Sequence, residues 1–585
     1  MIFNQVRSKC PFLTRVSSAF LRKSGPSFGI FASRCPVMGK VLSSDAQQQQ
    51  KQPSSSLAAH AAVTSRPDYC PFHAPAFPCR RDCLSSNGNH CTLDFTNPAS
   101  GDGAAQKKPA PVPVPVTAES DDAVAASAKD GANCPFSHLF EQMDDREKKT
   151  MEKGAFDFEA FFGRKLDEKK NDASYRVFKT VQRLAANFPR AENYYRSAEK
   201  SVREMREVTI WCANDYLGMS RHPTVLRTAK DTADKYGVGA GGTRNISGNG
   251  ILHEALEAGI ADLHRKDAAL LFTSCYNAND TALTVLGNEL PNLIYFSDSG
   301  NHRSMIEGIR HSGAKKVIFR HNDVDHLEEL LQKADPAAPK VVAFESVYSM
   351  AGTISPLKRM CDVAHKYGAL TFVDEVHAVG LYGSRGAGVG EEIGAASDID
   401  IVSGTLGKAF GVHGGYIAGG RNLVDAVRSY GAGFIFTTAL PPMNVAAALA
   451  SIQILSGDEG RELRAGHRCA VGVAKTKLTE AGIPIGAVPS HIIPVQVNEA
   501  KACQAVCDDL LNDHGIYVQA INYPTVPRGE EKLRVTPGPF HTPEMTDRFV
   551  DALLAVWEKH RLSLRPPSER VVGGEAAARL VPSQA

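Results

Sequence analysis

The sequence predicts an α/β protein: a large, doubly wound, mostly parallel sheet followed by a smaller C-terminal α/β unit. Three observations carry this. Short apolar runs recur from residue 268 onward, as parallel strands covered on both faces require. Stretches of helical spacing separate them, which is the βαβ alternation. The polar residues able to do chemistry stand at the ends of those runs, where open α/β sheets place their ligands.

The balance of the chain agrees with this class. Its 585 residues carry 66 Lys+Arg against 64 Asp+Glu, a formal charge of +2. Such balance excludes a dedicated nucleic-acid binder. With 43% hydrophobic and 22% charged residues, the chain is neither collagen nor wholly disordered nor a small disulfide scaffold.

The elements follow in order. Residues 1–44 hold Arg7, Lys9, Arg15, Arg22, Lys23, Arg34 and Lys40 and no acid, the signature of a mitochondrial transit peptide. Residues 45–135 contain a Gln run from Gln47, a Ser run from Ser54 and alternating prolines from Pro109 to Pro115. They read as a disordered linker. Residues 136–215 read as an N-terminal helical arm, with a charged amphipathic helix from about 136 to 170. A large domain is expected over 216–455, a small C-terminal domain over 456–564 and a frayed tail over 565–585. The uncharged stretch from Ser429 to Gly457 contains Pro441, Pro442, Asn444 and Gln453. It is read as a buried loop and core helix rather than a membrane span. Strands are expected at 268–273, 293–297, 316–320, 341–344, 370–373 and 399–403, with helices at 253–265 and 357–367 between them. Strands at 491–497, 517–521 and 532–535 belong to the smaller unit.

Three segments close such strands. In Thr371-Phe372-Val373-Asp374-Glu375-Val376-His377 an apolar run ends in an acid, and a His follows three residues later. Ser403-Gly404-Thr405-Leu406-Gly407-Lys408 presents a Lys among small residues, and Ser297-Asp298-Ser299-Gly300-Asn301-His302 ends on a His. A Lys so placed can form a Schiff base with an aldehyde cofactor. An Asp at a strand end can hold a pyridine nitrogen protonated, making the ring an electron sink. A His can stack on that ring. This is the inventory of a pyridoxal phosphate (PLP) site. Alone, Asp374 would be a structural acid and Lys408 a solvated lysine. Their order, with one strand between, joins them. The Gly404-x-x-Gly407-Lys408 spacing lacks the four-residue spacer of a phosphate loop.

Longer motifs carry a specific resemblance: YRVFKTV from Tyr175, NDYLGMSRHP from Asn214, GAGGTRNISG from Gly239, FVDEVHAVGLYGSRGAG from Phe372, SGTLGKAFG from Ser403, GFIFTT from Gly433 and GIYVQAINYPTVPRG from Gly515. Residues from about 172 to 562 resemble the α-oxoamine synthases, PLP-dependent enzymes of the type I aminotransferase fold. The Tyr175 and Gly515 segments point to their 5-aminolevulinate synthase branch. The resemblance implies condensation of glycine with succinyl-CoA to 5-aminolevulinate, CoA and carbon dioxide, the first step of haem synthesis. It implies a place in the mitochondrial matrix, with association at the inner membrane an option. From the charge balance and the polar load of the 429–457 stretch, no nucleic-acid partner and no integral membrane contact are expected.

The resemblance also implies roles. Lys408 would carry the cofactor and act as general base. Asp374 would pair with the ring nitrogen, His377 with the phenolic oxygen, and His302 would stack on the ring. Cys275, Tyr276, Ser349 and Thr405 would hold the cofactor and its phosphate. Thr437 and Thr438 would reach the phosphate across a homodimer with shared active sites. Arg534 would clamp the glycine carboxylate. Arg176 and Thr525 would hold the succinyl carboxylate, with Ser297 and Lys316 along the coenzyme A path. Asn214, Thr243 and Asn245 would line the substrate cavity.

Of the 13 Cys, seven lie at or before position 134, and Cys10, Cys35, Cys70 and Cys134 each precede Pro. Reduced thiols suit a matrix protein. The dipeptide resembles the haem-regulatory motif of this family, in which a thiolate is a good axial iron ligand. Haem is therefore expected as a feedback ligand. Zinc is the rival, on Cys70, His73, Cys79, Cys83, His90 and Cys91, but their spacing matches no standard paired site. No metal is expected. The chain departs from the family at Asn277 (usually Val), at His413 (usually small and apolar) and at Arg303 (usually small). Two competing readings stand beside the first: a glycine-using α-oxoamine synthase with another acyl-CoA, and a haem-responsive scaffold without activity.

Overall fold

A computed structural model describes residues 156–196, 203–486 and 488–566. The chain divides into two units, Met1–Gly163 and Arg164–Ala585. The Cys-Pro sites, the leader, the linker and the tail beyond 566 lie outside the described residues.

In chain order, β1 (Val181–Arg183), β2 (Arg190–Arg196) and β3 (Arg203–Ile210) form an antiparallel meander. Next come β4 (Ala268–Phe272), β5 (Ile294–Asp298), β6 (Lys315–Phe319), β7 (Lys340–Glu345), β8 (Ala369–Asp374), β9 (Ile401–Thr405) and β10 (Gly415–Gly419). The last are β11 (Ile493–Gln496), β12 (Ile516–Tyr517), β13 (Gln519–Ile521) and β14 (Lys532–Val535).

β4 to β10 form a seven-stranded sheet in the order β4-β10-β9-β8-β7-β5-β6. Only β10 runs antiparallel to its neighbours. Alternation along each strand divides the side chains between two cores. Val341, Ala343, Phe372 and Ile401 join the core that includes Ala278, Ala282 and Leu283. Val342, Phe344, Val373 and Val402 join the core of Met360, Cys361 and Leu327 on the other face. Asp374 keeps the parity of Phe372 and so faces the helix Cys275–Glu289. The carboxyl ends of these parallel strands share one edge, and residues 298, 302, 345, 374 and 408 emerge there.

Within Arg164–Ala585 the C-terminal residues have a core of their own, in which Trp211 stacks on Phe549 with ring centroids 4.3 Å apart. Their antiparallel sheet is β11-β14-β13. β12 pairs parallel with β3, so the 181–210 meander and the C-terminal residues share a sheet.

Several expectations need correction. The expected strand 517–521 is two strands, because Ile516–Tyr517 pairs with β3 while Gln519–Ile521 pairs with β14. The strand expected at 491–497 begins at Ile493, since His491 turns inward beside Tyr382 and Tyr216. β9 starts two residues later than expected, because residues 396–398 form a 3-10 turn and the Asp400 amide donates to Thr371 Oγ1. The helix placed over 136–170 is described only as Phe158–Asn171, with Asp157 accepting from the Ala160 amide at its start. Beyond it the arm is largely a β meander, whose Arg- and Glu-rich strands do not show the apolar pattern that marks buried ones. β10 was not anticipated: five residues bounded by Gly are too few and too small to stand out. The stretch from 429 to 457 does hold a core helix, Pro442–Ser456, with Val445, Ala448, Ile452 and Leu455 buried. Among the described residues no helix is long and apolar enough to cross a membrane.

Candidate active site

The site begins at the end of β8. Asp374 is buried; its Oδ1 accepts from the Val376 amide at 2.9 Å and its Oδ2 from Asn279 Nδ2 at 2.7 Å. Asn279 sits one turn into the helix Cys275–Glu289 and also donates to Ser304 Oγ at 3.0 Å. Ser274 caps that helix by accepting from the Asn277 amide. The first free N–H groups of the helix, at Cys275 and Tyr276, therefore open beside the sheet edge, a favourable place for a phosphate.

Lys408, half-buried just past β9, lies 2.7 Å from His377 Nε2. The Tyr216 hydroxyl lies 2.7 Å from His377 Nδ1. Arg534, on β14, donates to the same hydroxyl at 2.8 Å, to Asn214 Oδ1 at 3.0 Å and to the Ser349 carbonyl at 2.9 Å. One hydrogen-bonded chain thus runs from Lys408 through His377 and Tyr216 to Arg534.

Burial dominates the electrostatics. It pulls the Lys408 ammonium down to about 8, with Arg534 adding to the fall and Asp374 opposing it. It holds His377 well below the usual imidazole range, helped by the Lys408 charge. The same desolvation lowers His302, and it raises Glu345, which the nearby Asp374 charge raises further. Glu345 ends β7 and accepts from the His302 amide at 2.7 Å. His302 caps the helix Arg303–Ser312 through Ser304, and its ring lies 6.4 Å from that of Tyr276.

The sequence-derived residues fall into groups. Lys408, Asp374, His377, His302, Cys275, Tyr276 and Thr405 gather at the sheet edge, where Thr405 Oγ1 accepts from the Gly407 amide. Arg534, Asn214 and Ser349 meet at the far end of the same chain. Arg176 donates to Thr525 Oγ1. Thr243 and Thr438 are joined by a backbone bridge, with Thr437 beside them and Asn245 exposed in the same loop. Ser297 and Lys316 join none of these groups. Ser297 is buried, and its hydroxyl is engaged by Asn301 Nδ2 and its own neighbour's carbonyl, so it presents no open group. Lys316 stands exposed on the edge strand opposite Tyr295, two residues back from the level of Ser297.

Sequence reading missed Asn279, Tyr216 and Glu345. Tyr216 lay inside the NDYLG motif, and Glu345 closes the apolar run 341–344 as Asp374 closes its own, so both could have been found there; Asn279 carried no local signal. Asn277, the departure from the family, is fully used. It donates to the Gly433 carbonyl at 2.9 Å and to Thr273 Oγ1 at 3.2 Å, and accepts from Thr281 Oγ1 at 2.9 Å. His413 is exposed, and Arg303 pairs with Glu307 on its own helix.

The residues present fit PLP. The buried Ser403 Oγ beside Asp374 and the buried Thr243 Oγ1 have no partner. A depressed lysine, a buried acid and a helix start converge on one space. Among the described residues no cluster of His, Cys, Asp or Glu suits a metal. The aminotransferase class I and II family matches residues 206–553. Fold and site thus define a PLP-dependent enzyme of that class. The 5-aminolevulinate synthase presequence family matches residues 4–159. The mitochondrial non-specific 5-aminolevulinate synthase of Opsanus tau is 46% identical over 96% of this chain and 94% of its own. The erythroid-specific enzyme of Danio rerio is 58% identical over 71% of this chain and 70% of its own. The chain belongs to the 5-aminolevulinate synthases, a mitochondrial family of PLP-dependent acyltransferases. Among solved structures, serine palmitoyltransferase from S. paucimobilis with a bound PLP–myriocin aldimine aligns with TM-score 0.63 and 28% identity, covering 69% of this chain and 99% of that one. The 8-amino-7-oxononanoate synthase of Francisella tularensis shares the fold, with TM-score 0.51 at 23% identity over 61% of this chain and 99% of that one.

Proposed function

We propose that the chain condenses glycine with succinyl-CoA to give 5-aminolevulinate, CoA and carbon dioxide, the first step of haem synthesis. The observation that carries this reading is the Lys408–His377–Tyr216–Arg534 chain. It puts a base and a carboxylate clamp at the two ends of one hydrogen-bonded path.

Arg534 uses three of its five N–H groups on Ser349, Asn214 and Tyr216. The two that remain, one on each terminal nitrogen, form a fork for the glycine carboxylate. The Tyr216 hydroxyl, which accepts from Arg534, lies 2.7 Å from His377 Nδ1 and 3.3 Å from Asn214 Oδ1, and His377 Nε2 lies 2.7 Å from Lys408 Nζ, so the imidazole can hand a proton along this path when Lys408 gains or loses one. With Lys408 pulled down to about 8, a useful fraction is the free amine near neutral pH. It takes the α-proton of the bound glycine and later returns a proton to the product carbon. PLP, when bound, supplies the electron sink for both the condensation and the decarboxylation. Lys408, Asp374, His377, His302, Thr405 and the helix start at Cys275 and Tyr276 would hold it. Asn279 keeps Asp374 pointed at that space.

Arg176 and Thr525 form the receptor for the distal succinyl carboxylate. Their contact favours a dicarboxylic acyl group over a neutral one. Val238, Ile246, Ile251 and Phe436 are exposed on the segments joined by the Thr243–Thr438 bridge. Exposed apolar groups there support a homodimer in which Thr437 and Thr438 serve the partner's site. The presequence match supports import into the matrix. The Cys-Pro sites at Cys10, Cys35, Cys70 and Cys134 would bind haem as the feedback ligand.

The test is turnover of the purified protein with PLP, glycine and succinyl-CoA, scored as aminoketone. Product that vanishes in Lys408→Ala supports the reading. No product despite bound PLP turns attention to other acyl-CoA substrates.

A further inference from the structure

The strongest unassigned cluster lies just behind the ring-stacking loop. His321 follows β6 and is not among the residues assigned a role above. Its Nδ1 lies 2.9 Å from Asp298 Oδ1, and its Nε2 lies 2.9 Å from Thr353 Oγ1. The Tyr348 ring stands edge-on to it, with centroids 4.3 Å apart.

Each end of this bridge leads to one half of the site. Asp298 has a fully buried side chain and accepts from the Gly300 amide at 2.7 Å and the Asn322 amide at 2.9 Å. It therefore fixes the turn 298–302 that carries His302. There is no slack in that turn: a Cβ on Gly300 would stand 2.8 Å from His321 Nδ1. Thr353 lies in the loop 346–355, closed by the Tyr348 amide on the Thr353 carbonyl and the Gly352 amide on the Tyr348 carbonyl. The same loop offers the Ser349 carbonyl to Arg534 Nε. At Gly352, with φ +70, a Cβ would stand 2.8 Å from the Ile492 carbonyl, so the loop presses on the C-terminal residues.

We infer that His321 is a positioning residue that ties the ring-stacking loop of His302 to the carboxylate clamp of Arg534, through Asp298 on one side and Thr353 on the other. The imidazole spans the two loops: Nδ1 meets the Asp298 carboxylate, and Nε2 meets the Thr353 hydroxyl, with Asn322 Nδ2 3.3 Å away. The inference rests on the proposed roles of His302 and Arg534.

Three variants of the full-length holoenzyme test it, each assayed for KM and kcat with both substrates and for the visible absorption of bound PLP. Thr353→Val removes one hydroxyl at nearly constant volume and leaves Asp298–His321 intact. It should raise KM for glycine about three- to tenfold, the worth of one hydrogen bond, with kcat, KM for succinyl-CoA and the PLP spectrum unchanged. Thr353→Ser should restore the wild-type value. His321→Gln should raise KM for glycine and also shift the PLP spectrum, because both loops are released. Thr353→Val with wild-type KM for glycine overturns the inference, as does a His321→Gln enzyme changed only in melting temperature. Failure of the underlying reading looks different: wild-type protein would make no product, or Arg534→Lys would leave KM for glycine untouched.

Discussion

Replacing Asn279 with Leu removes both donors of that side chain while keeping its volume close. Asp374 Oδ2 then loses a 2.7 Å hydrogen bond and Ser304 loses a 3.0 Å one. Asn279 is 1% exposed and Asp374 4% exposed, so water does not readily replace the lost donor. A hydrogen bond to a charged group contributes about 1.5–3 kcal/mol, equivalent to about 10- to 150-fold in an equilibrium or rate. Asp374 can then swing from the orientation in which it would meet the ring nitrogen of bound PLP. The expected result is a fall of that size in kcat/KM for glycine at saturating PLP, with far-UV circular dichroism unchanged. Restoring a donor with Asn279→Gln should recover part of the loss only if the longer side chain still reaches Asp374. An Asn279→Leu enzyme with kcat/KM close to wild type, still holding PLP, would refute the claim that Asn279 orients the acid.

Other outcomes follow from the same geometry. Because burial lowers Lys408 to about 8 from its ordinary value of 10.5, the unfolded chain binds one more proton than the folded one between those pH values. Stability of the cofactor-free protein should therefore rise with pH across that window, by at most about 1.4 kcal/mol per pH unit, and Lys408→Met should flatten the slope in urea titrations at several pH values. Arg176→Gln should raise KM for succinyl-CoA about tenfold or more while a neutral acyl-CoA is unaffected, since the lost group is a charge-assisted donor. Gly388→Ala should lower stability by more than about 1 kcal/mol, because φ is +118 and the new Cβ would stand 2.6 Å from the Glu375 carboxyl carbon; thermal melting reads it. Asn277→Val should lower the melting temperature by a few degrees, as the Gly433 carbonyl and Thr281 hydroxyl lose their partner.

Much of the site was legible because its signals are local. Phe372-Val373-Asp374 and Ser403-Gly404-Thr405 announce strand ends within a few residues, and His377 and Lys408 follow at short, fixed spacing. The main strands were readable for the same reason, since each is an unbroken apolar run covered on both faces. The 181–210 meander was not, because charged residues occupy much of its length. The two-strand break at Val518 was not, because an apolar run cannot reveal that its halves pair with different partners.

The sequence by itself determined the buried parallel strands, the class of cofactor chemistry and the residues at strand ends, because these follow from side-chain periodicity and chain-local spacing. Only the tertiary structure decided which partners those residues meet. Asn279 reaches Asp374 across 95 positions, and Arg534 reaches Tyr216 across 318. Such contacts depend on strand register and on which helix covers which face, and neither is written into the neighbourhood of any one residue. The shift of Lys408 to about 8 has the same origin: burial and the opposing charges of Arg534 and Asp374 exist only once three distant segments have closed around one amine.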